Sequence, residues 1–355
     1  MKRKFLSVAL AFCLAACMLP TVRAADDIIP NDASGIPDII FYYTLLSQAD
    51  ANGDEQLSRS EAAALETIAV IGDLGPDIAP VQSLEGLEYF TGAKELILYN
   101  LTEVDLSPIY RLPNVQTVVL MGMDNAGLAA AAAMPGLETL AVVDLAEGQI
   151  SDLSALSQAT ELRQLVILNN PVEDLTPLAS LQNLQMLALD YTMVTDISPL
   201  SGLSQLTSLE IAGNPLSDVS PIADLTGLTS LYLPYNEIET LPDLTGLTSL
   251  QPDTTSFEGN RLTSQELRAK LPPQLAENDA WILANKYPRA GDMNGDNTVD
   301  ISDVMMACKV LARQTAGDAA GADEIERGDM DGNGILDITD VMGICKVIAR
   351  QNALL

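Results

Sequence analysis

Between Leu84 and Leu262 the apolar positions follow one template, L-x-x-L-x-L, whose fourth residue falls at Leu96, Val118, Leu140, Leu165, Leu187, Leu209 and Leu231. Successive steps are 22, 22, 25, 22, 22 and 22 residues, which marks a stacked array rather than a chain folded around a single core. Inside each template, inward and outward positions alternate with the period of a strand. Turns come next: DLSPI (Asp105–Ile109), DLTPL (Asp174–Leu178), DISPL (Asp196–Leu200) and DVSPI (Asp218–Ile222). In these, Ser or Thr is expected to cap a short helical turn and Pro to take its first position. Asn170, Asn214, Asn236 and Asn260 fall where an inward amide can bond neighbouring backbones as a ladder. The pattern predicts an α/β solenoid, a curved parallel sheet backed by short 3-10 or helical turns. Ala129–Ala133 make the second repeat helical on that side, and the longer step through AEGQISDL predicts a bulge.

The outward positions of the strands form the concave face. They are Ile97, Tyr99, Val119, Met121, Ala141, Val143, Val166, Leu168, Ala188, Asp190, Glu210, Tyr232 and Pro234. An apolar stripe over the first four repeats reads as a contact surface for another molecule. The ends of such an array need covers. At the start, IPDIIFYYTLLSQA and AAALETIAV have helical spacing over 36–70; at the end, SQELRAKL and then AWILAN do so around Thr263–Leu283. Asn285 to Ala290 form a linker with a reach of about 20 Å, a loose but close coupling to the C-terminal segment.

That segment is one sequence written twice, GDMNGDNTVDISDVMMACKVLARQ from Gly291 and GDMDGNGILDITDVMGICKVIARQ from Gly328, offset by 37 residues. Each copy places oxygen-bearing side chains at positions 1, 3, 5, 9 and 12 of a twelve-residue loop. The first set is Asp292, Asn294, Asp296, Asp300 and Asp303; the second is Asp329, Asp331, Asn333, Asp337 and Asp340. A hard cation with six to eight oxygen ligands needs this spacing, with the backbone carbonyl of position 7 added, here Thr298 and Ile335. Crowded carboxylates repel one another unless a cation sits among them, and so short a segment has too small a core to fold without a staple. A third loop, between the two N-terminal helical stretches, offers Asp50, Asn52, Asp54, Gln56, Ser58 and Glu61. It is either a third Ca²⁺ site or a plain connection between helices.

The duplicated tail resembles a type I dockerin, an all-α module with two EF-hand-like calcium loops that plugs secreted proteins into the cohesins of a cellulosomal scaffoldin. The resemblance implies two Ca²⁺ ions. It also implies a cohesin-binding face of Ile301, Ser302, Cys308, Lys309 and Arg313, matched in the second copy by Ile338, Thr339, Cys345, Lys346 and Arg350. Because the two sets match, it further implies two docking orientations related by a half-turn. Ile at position 10 and Cys at position 17 depart from the family's commonest choices. The array is similar to the 22-residue, internalin-like leucine-rich repeats, and the N-terminal stretch resembles the EF-hand-like cap such arrays carry.

Composition narrows the field. The 355 residues include 49 acidic and 18 basic side chains, a net charge of −31, which disfavours nucleic acid and anionic membrane as partners. Histidine is absent, which removes Ser-His-Asp and Cys-His catalysis and His-ligated zinc. No pair of carboxylates stands out along the sequence as an acid–base couple. Residues 1–24 read as a secretion signal, with Lys2, Arg3 and Lys4 before an apolar run and Val22-Arg23-Ala24 at its end. Leu14-Ala15-Ala16-Cys17 alternatively reads as a lipobox that would tether the protein to a membrane through Cys17. Beyond this leader only Cys308 and Cys345 remain, read as small apolar residues of the docking faces, with a disulfide as the alternative.

The expected organisation is therefore a signal over 1–24, a helical cap over 36–83, repeats with their cover over 84–284, a linker over 285–290 and a dockerin over 291–355. The expected role is non-catalytic: cohesin docking at one end, and a protein or glycan held by the array. A lipid-tethered surface adhesin and a polysaccharide-active enzyme are the competing expectations.

Overall fold

A computed structural model of the chain describes residues 28–72, 78–101, 103–144, 149–286, 291–294 and 299–353. The signal and lipobox, residues 145–148 of the expected bulge, and most of the linker lie outside the described residues. The chain forms two compact units, 1–115 and 116–355.

In the first unit, helix α1 (Ile39–Ala49) is capped by Asp38, whose Oδ1 accepts from the N–H groups of Ile40 and Phe41. The other oxygen of Asp38 accepts from Gln82 and Ser83, 2.6 and 3.1 Å away, so one carboxylate starts the helix and ties down a distant loop. A short helix α2 (Arg59–Ala64) comes next. The helix expected to run on through Glu66–Val70 ends at Ala64; strand β1 (Thr67–Ile71) takes its place and pairs in parallel with β2 (Glu95–Tyr99). Thr67, Ile68 and Val70 are β-branched, and their alternation buries Ile68 and Val70, which outweighs helical propensity here. The cap does more than cover leucines. The Gln48 amide donates to Ala69 O and accepts from Ala69 N at 2.8 and 2.9 Å, satisfying backbone that a sheet edge would otherwise leave open.

The second unit holds seven parallel strands in sequence order: β3 (Thr117–Met121), β4 (Thr139–Val143), β5 (Gln164–Leu168), β6 (Met186–Asp190), β7 (Ser208–Glu210), β8 (Ser230–Tyr232) and β9 (Thr255–Ser256). In β3 to β8 the second residue of each strand, Val118 through Leu231, is fully buried against its neighbours. The expected helical segment of the second repeat is α3 (Asn125–Ala132). Elsewhere the convex side is 3-10 turns, but their capping differs from expectation. Ser107, Thr176, Ser198 and Ser220 are the first turn residues, and each receives its cap from the Asp two positions earlier, as in Ser107 N to Asp105 Oδ1 at 2.9 Å. Proline is second. The Asx bond holds because the Asp carboxylate reaches the N–H two residues on without helical backbone.

The asparagine ladder forms as expected. Asn214 Nδ2 donates to Leu189 O at 2.7 Å, Asn236 Nδ2 to Ile211 O at 2.6 Å, and Asn260 Nδ2 to Leu233 O at 2.7 Å, each side chain buried. Three short helices, α4 (Ser264–Lys270), α5 (Pro273–Ala276) and α6 (Asp279–Asn285), cover the last strand. Trp281 Nε1 donates to Thr255 O at 2.9 Å and Asn285 Oδ1 accepts from Phe257 N at 2.6 Å, closing backbone of β9 and the residue beyond it.

Asn285 and Lys286 are therefore not linker. Lys286 is buried, its ammonium donates to Glu326 O, and burial holds its pKa below the usual lysine range against the pull of Glu326 and Asp329. That bond crosses from the cover to the C-terminal segment, so the loose coupling expected from sequence gives way to a tied one. The segment comprises α7 (Ile301–Thr315), α8 (Ala322–Gly328) and α9 (Ile338–Ala353). Its own core is Met293, Val299, Ala307, Val310, Leu336, Val341 and Ile344. Helix α8, not expected from the apolar pattern, starts where Glu324 bonds back to Gly321 N at 2.9 Å.

Candidate functional site

Each acidic loop is built around its first and last carboxylates. In the second copy, Asp329 Oδ1 accepts from Gly332 N at 2.8 Å and Oδ2 from Gly334 N at 2.8 Å, drawing the loop around one side chain. Both glycines have positive φ, 75° and 78°, which they adopt without steric penalty. Asp340 is fully buried; its oxygens accept from Met330 N and Asp337 N, both at 2.8 Å. Oxygens of Asp329, Asp331 and Asp340 all lie within 4.8 Å of one another. That span is about twice a Ca–O bond of ~2.3–2.6 Å, so a single ion can touch all three. The donor set, carboxylates with the amide of Asn333 and the carbonyl of Ile335, suits a hard cation. Bound there, Ca²⁺ supplies charge compensation and a fixed loop shape.

The first copy repeats the frame. Asp292 and Asp303 are fully buried, and Asp303 accepts from Met293 N at 2.8 Å, Asn294 N at 3.1 Å and Asp300 N at 2.8 Å. Asp296 and Thr298 lie outside the described residues. In the N-terminal loop Asp50 likewise gathers the N–H groups of Gly53, Asp54 and Glu55, with Glu55 at φ 61°. Its last residue repeats the pattern of Asp303 and Asp340. Glu61 caps α2 through Ser58 N at 3.0 Å and Ser58 Oγ at 2.7 Å, and its Oε1 accepts from Ala51 N at 3.3 Å as well. Among the described residues, Asp329, Asp331 and Asp340 are the group of three carboxylates drawn this close; Asp50, Asp54 and Glu61 are not.

The helices after the loops present matching faces. Ile301 and Ile338 are 67% and 63% exposed, Met305 and Met342 57% and 55%, and large apolar residues this open on paired helices are uncommon for a solvated surface. Ser302, Lys309 and Arg313 are exposed in one copy, Thr339 and Lys346 in the other, and Arg313 pairs with Glu324. The side chain of Arg350 lies outside the described residues. Cys308 and Cys345 are free and exposed, so no disulfide joins them. Met305 and Met342 were missed in sequence, although their 37-residue offset is the same signal that linked the isoleucines.

On the strands, Ile97 and Tyr99 of the first unit are half-buried, as are Val119, Met121, Ala141, Val143, Val166, Leu168, Glu210 and Tyr232 of the second. Ala188, Asp190 and Pro234, expected to face outward, are buried. Asp190 turns its Oδ1 to Ala212 N at 2.9 Å, trading solvent for a neighbouring backbone. The pair this creates has no signal in the sequence. Ala188 stands opposite Glu210, so Asp190 is its diagonal neighbour, and the two carboxyl groups share a hydrogen bond. Burial pushes Glu210 up to about 7, with the Asp190 charge and bond adding to the rise; burial likewise raises Asp190. Together they hold a proton near neutrality.

Seven parallel strands with a buried leucine ladder, an asparagine ladder and Asx-capped convex turns form a leucine-rich-repeat solenoid. The chain is similar to the internalins. Internalin C2 of Listeria monocytogenes shares 25% identity over 68% of this chain and 100% of its own, with a TM-score of 0.52. An internalin F of the same organism has 23% identity over 70% of this chain and 89% of its own, TM-score 0.38. No family model matches the chain, and no curated protein matches it. Among the described residues no helix is long and apolar enough to cross a membrane.

Proposed function

We propose that this protein is a secreted, non-catalytic component of a cellulosome. Its C-terminal segment, 291–355, acts as a type I dockerin that binds a cohesin of a scaffoldin when its two loops hold Ca²⁺. The internalin-like array holds a protein or glycan partner at the assembly. The observation that carries this reading is the convergence of Asp329, Asp331 and Asp340 in a loop whose frame Asp292 and Asp303 repeat. The matching exposed faces, Ile301 with Met305 and Ile338 with Met342, support a docking surface used in two orientations. The boundaries proposed from sequence are kept, the cap over 36–83 including the strand Thr67–Ile71, with Asn285 and Lys286 counted with the cover.

The N-terminal loop, whose Asp50, Asp54 and Glu61 are not drawn together as Asp329, Asp331 and Asp340 are, is left out of the calcium count. The test is capture of the full chain by immobilised type I cohesins in calcium and again in excess chelator. Calcium-dependent capture supports the reading; capture that survives chelation refutes it. Mass measurement of the mature N-terminus decides the tethered alternative: a start at Ala25 excludes it, and a lipidated Cys17 establishes it.

A further inference from the structure

Immediately after β6 and just beyond β8 stand Tyr191 and Tyr235, 57% and 44% exposed. Both have left-handed backbone, φ 52° and 57°, a conformation unfavourable for a bulky side chain. Asn169, Gly213 and Gly259 occupy the matching place in neighbouring repeats with the same sign of φ. The strain positions each ring. A Cβ at Gly213 would lie 2.6 Å from the Tyr191 ring, and one at Gly259 2.5 Å from that of Tyr235. Each ring therefore rests one edge on a glycine of the next repeat and leaves the remainder in water. Backbone bonds from Tyr191 N to Ala212 O, Gly213 N to Pro234 O and Tyr235 N to Glu258 O hold the row in register. The rings are thus two strand spacings apart, about 9–10 Å, and lean the same way.

Beside them lie hydroxyl-binding groups. Tyr235 Oη donates to Glu258 at 3.4 Å, and burial together with the nearby charges of Glu210, Glu258 and Asp190 raises the pKa of Tyr232. We propose that Tyr191 and Tyr235 form a binding platform for an extended β-1,4-linked glucan, each ring stacking on every second pyranose while Glu210 and Glu258 accept from sugar hydroxyls. A flat glycan ribbon repeats its ring orientation every second sugar, which matches the spacing of the platforms. A duplex or single-stranded nucleic acid offers rings of similar flatness, but the acidic side chains around the tyrosines repel its phosphates. This inference deepens the proposed role of the array and is independent of the calcium module.

The test is calorimetric titration of the full chain with cellohexaose, with maltohexaose as the helical α-linked comparison and octalysine as an acidic-patch comparison. Expected is binding of cellohexaose that 0.5 M salt leaves within about twofold, with weaker binding of maltohexaose. Tyr191→Asn and Tyr235→Asn, side chains that tolerate this backbone, should each weaken it about tenfold without lowering Tm, and the Phe variants should keep it. No heat with cellohexaose, or asparagine variants that bind as wild type, overturns the proposal. So does salt-sensitive binding of octalysine alone, which would make the patch a site for basic peptides. Calcium-dependent cohesin capture of the same variants should be unchanged, so failure of one activity is distinguishable from failure of the other.

Discussion

Asp340 shows how much one side chain carries here. Replacing it with alanine strips partners from Met330 N and Asp337 N in a buried setting. At about 1–3 kcal/mol for each unsatisfied group, thermal melting of Asp340→Ala should show the C-terminal segment lost well before the repeats. Glu210 behaves in the opposite sense. Its folded pKa of about 7 exceeds its ordinary 4.5, so the folded chain retains a proton that the unfolded chain releases. Stability from this group is full below pH 4.5 and falls as pH rises through about 7. Glu210→Gln should therefore raise Tm at pH 8 and flatten its slope between those values. A Tm unchanged at pH 8 would show that the pair carries no proton linkage. The convex-side aspartates have the reverse sign. Hydrogen bonds from Ser107 and Ser220 lower Asp105 and Asp218, so their contribution is lost as pH falls through and below 3.8.

At the scale of elements, the two loop-helix copies are near duplicates, and that duplication makes a prediction of its own. Substituting Ile301, Ser302, Lys309 and Arg313 to alanine leaves the second face intact. Cohesin affinity, measured by surface plasmon resonance, should fall by no more than about twofold, the statistical cost of losing one of two orientations. A loss of a hundredfold would assign docking to one face. Much of this level was legible in sequence because period reveals it: the leucine steps placed β2 to β8, and the repeated loop placed α7 and α9. Strand β1 was misread because ETIAV reads equally well as a buried helix segment until a neighbouring strand is present to pair with it. Helix α8 was missed because its stretch, ADEIERG, offers little apolar periodicity. The carboxyl pair and the tyrosine row were invisible because they arise from residues about 20 or 44 positions apart that only stacking of repeats brings together.

For the whole molecule, with Ca²⁺ bound as proposed, stability of the C-terminal segment depends on ion supply more than on its small core. An ion present at a hundred times its Kd contributes about 2.7 kcal/mol, comparable with the whole margin a core of that size provides. Lys286 makes the segment's ordering felt at the cover. Lys286→Met should remove the bond to Glu326 O and raise hydrogen exchange around Ala322–Gly328 while leaving strands β3 to β8 protected. Calcium uptake by the full chain, measured by isothermal titration calorimetry on the wild type and on an Asp292→Ala, Asp329→Ala variant, tests the central claim most directly. The account predicts two equivalents of Ca²⁺ that the variant no longer takes up. Equal uptake by both proteins, or none by the wild type, would contradict it.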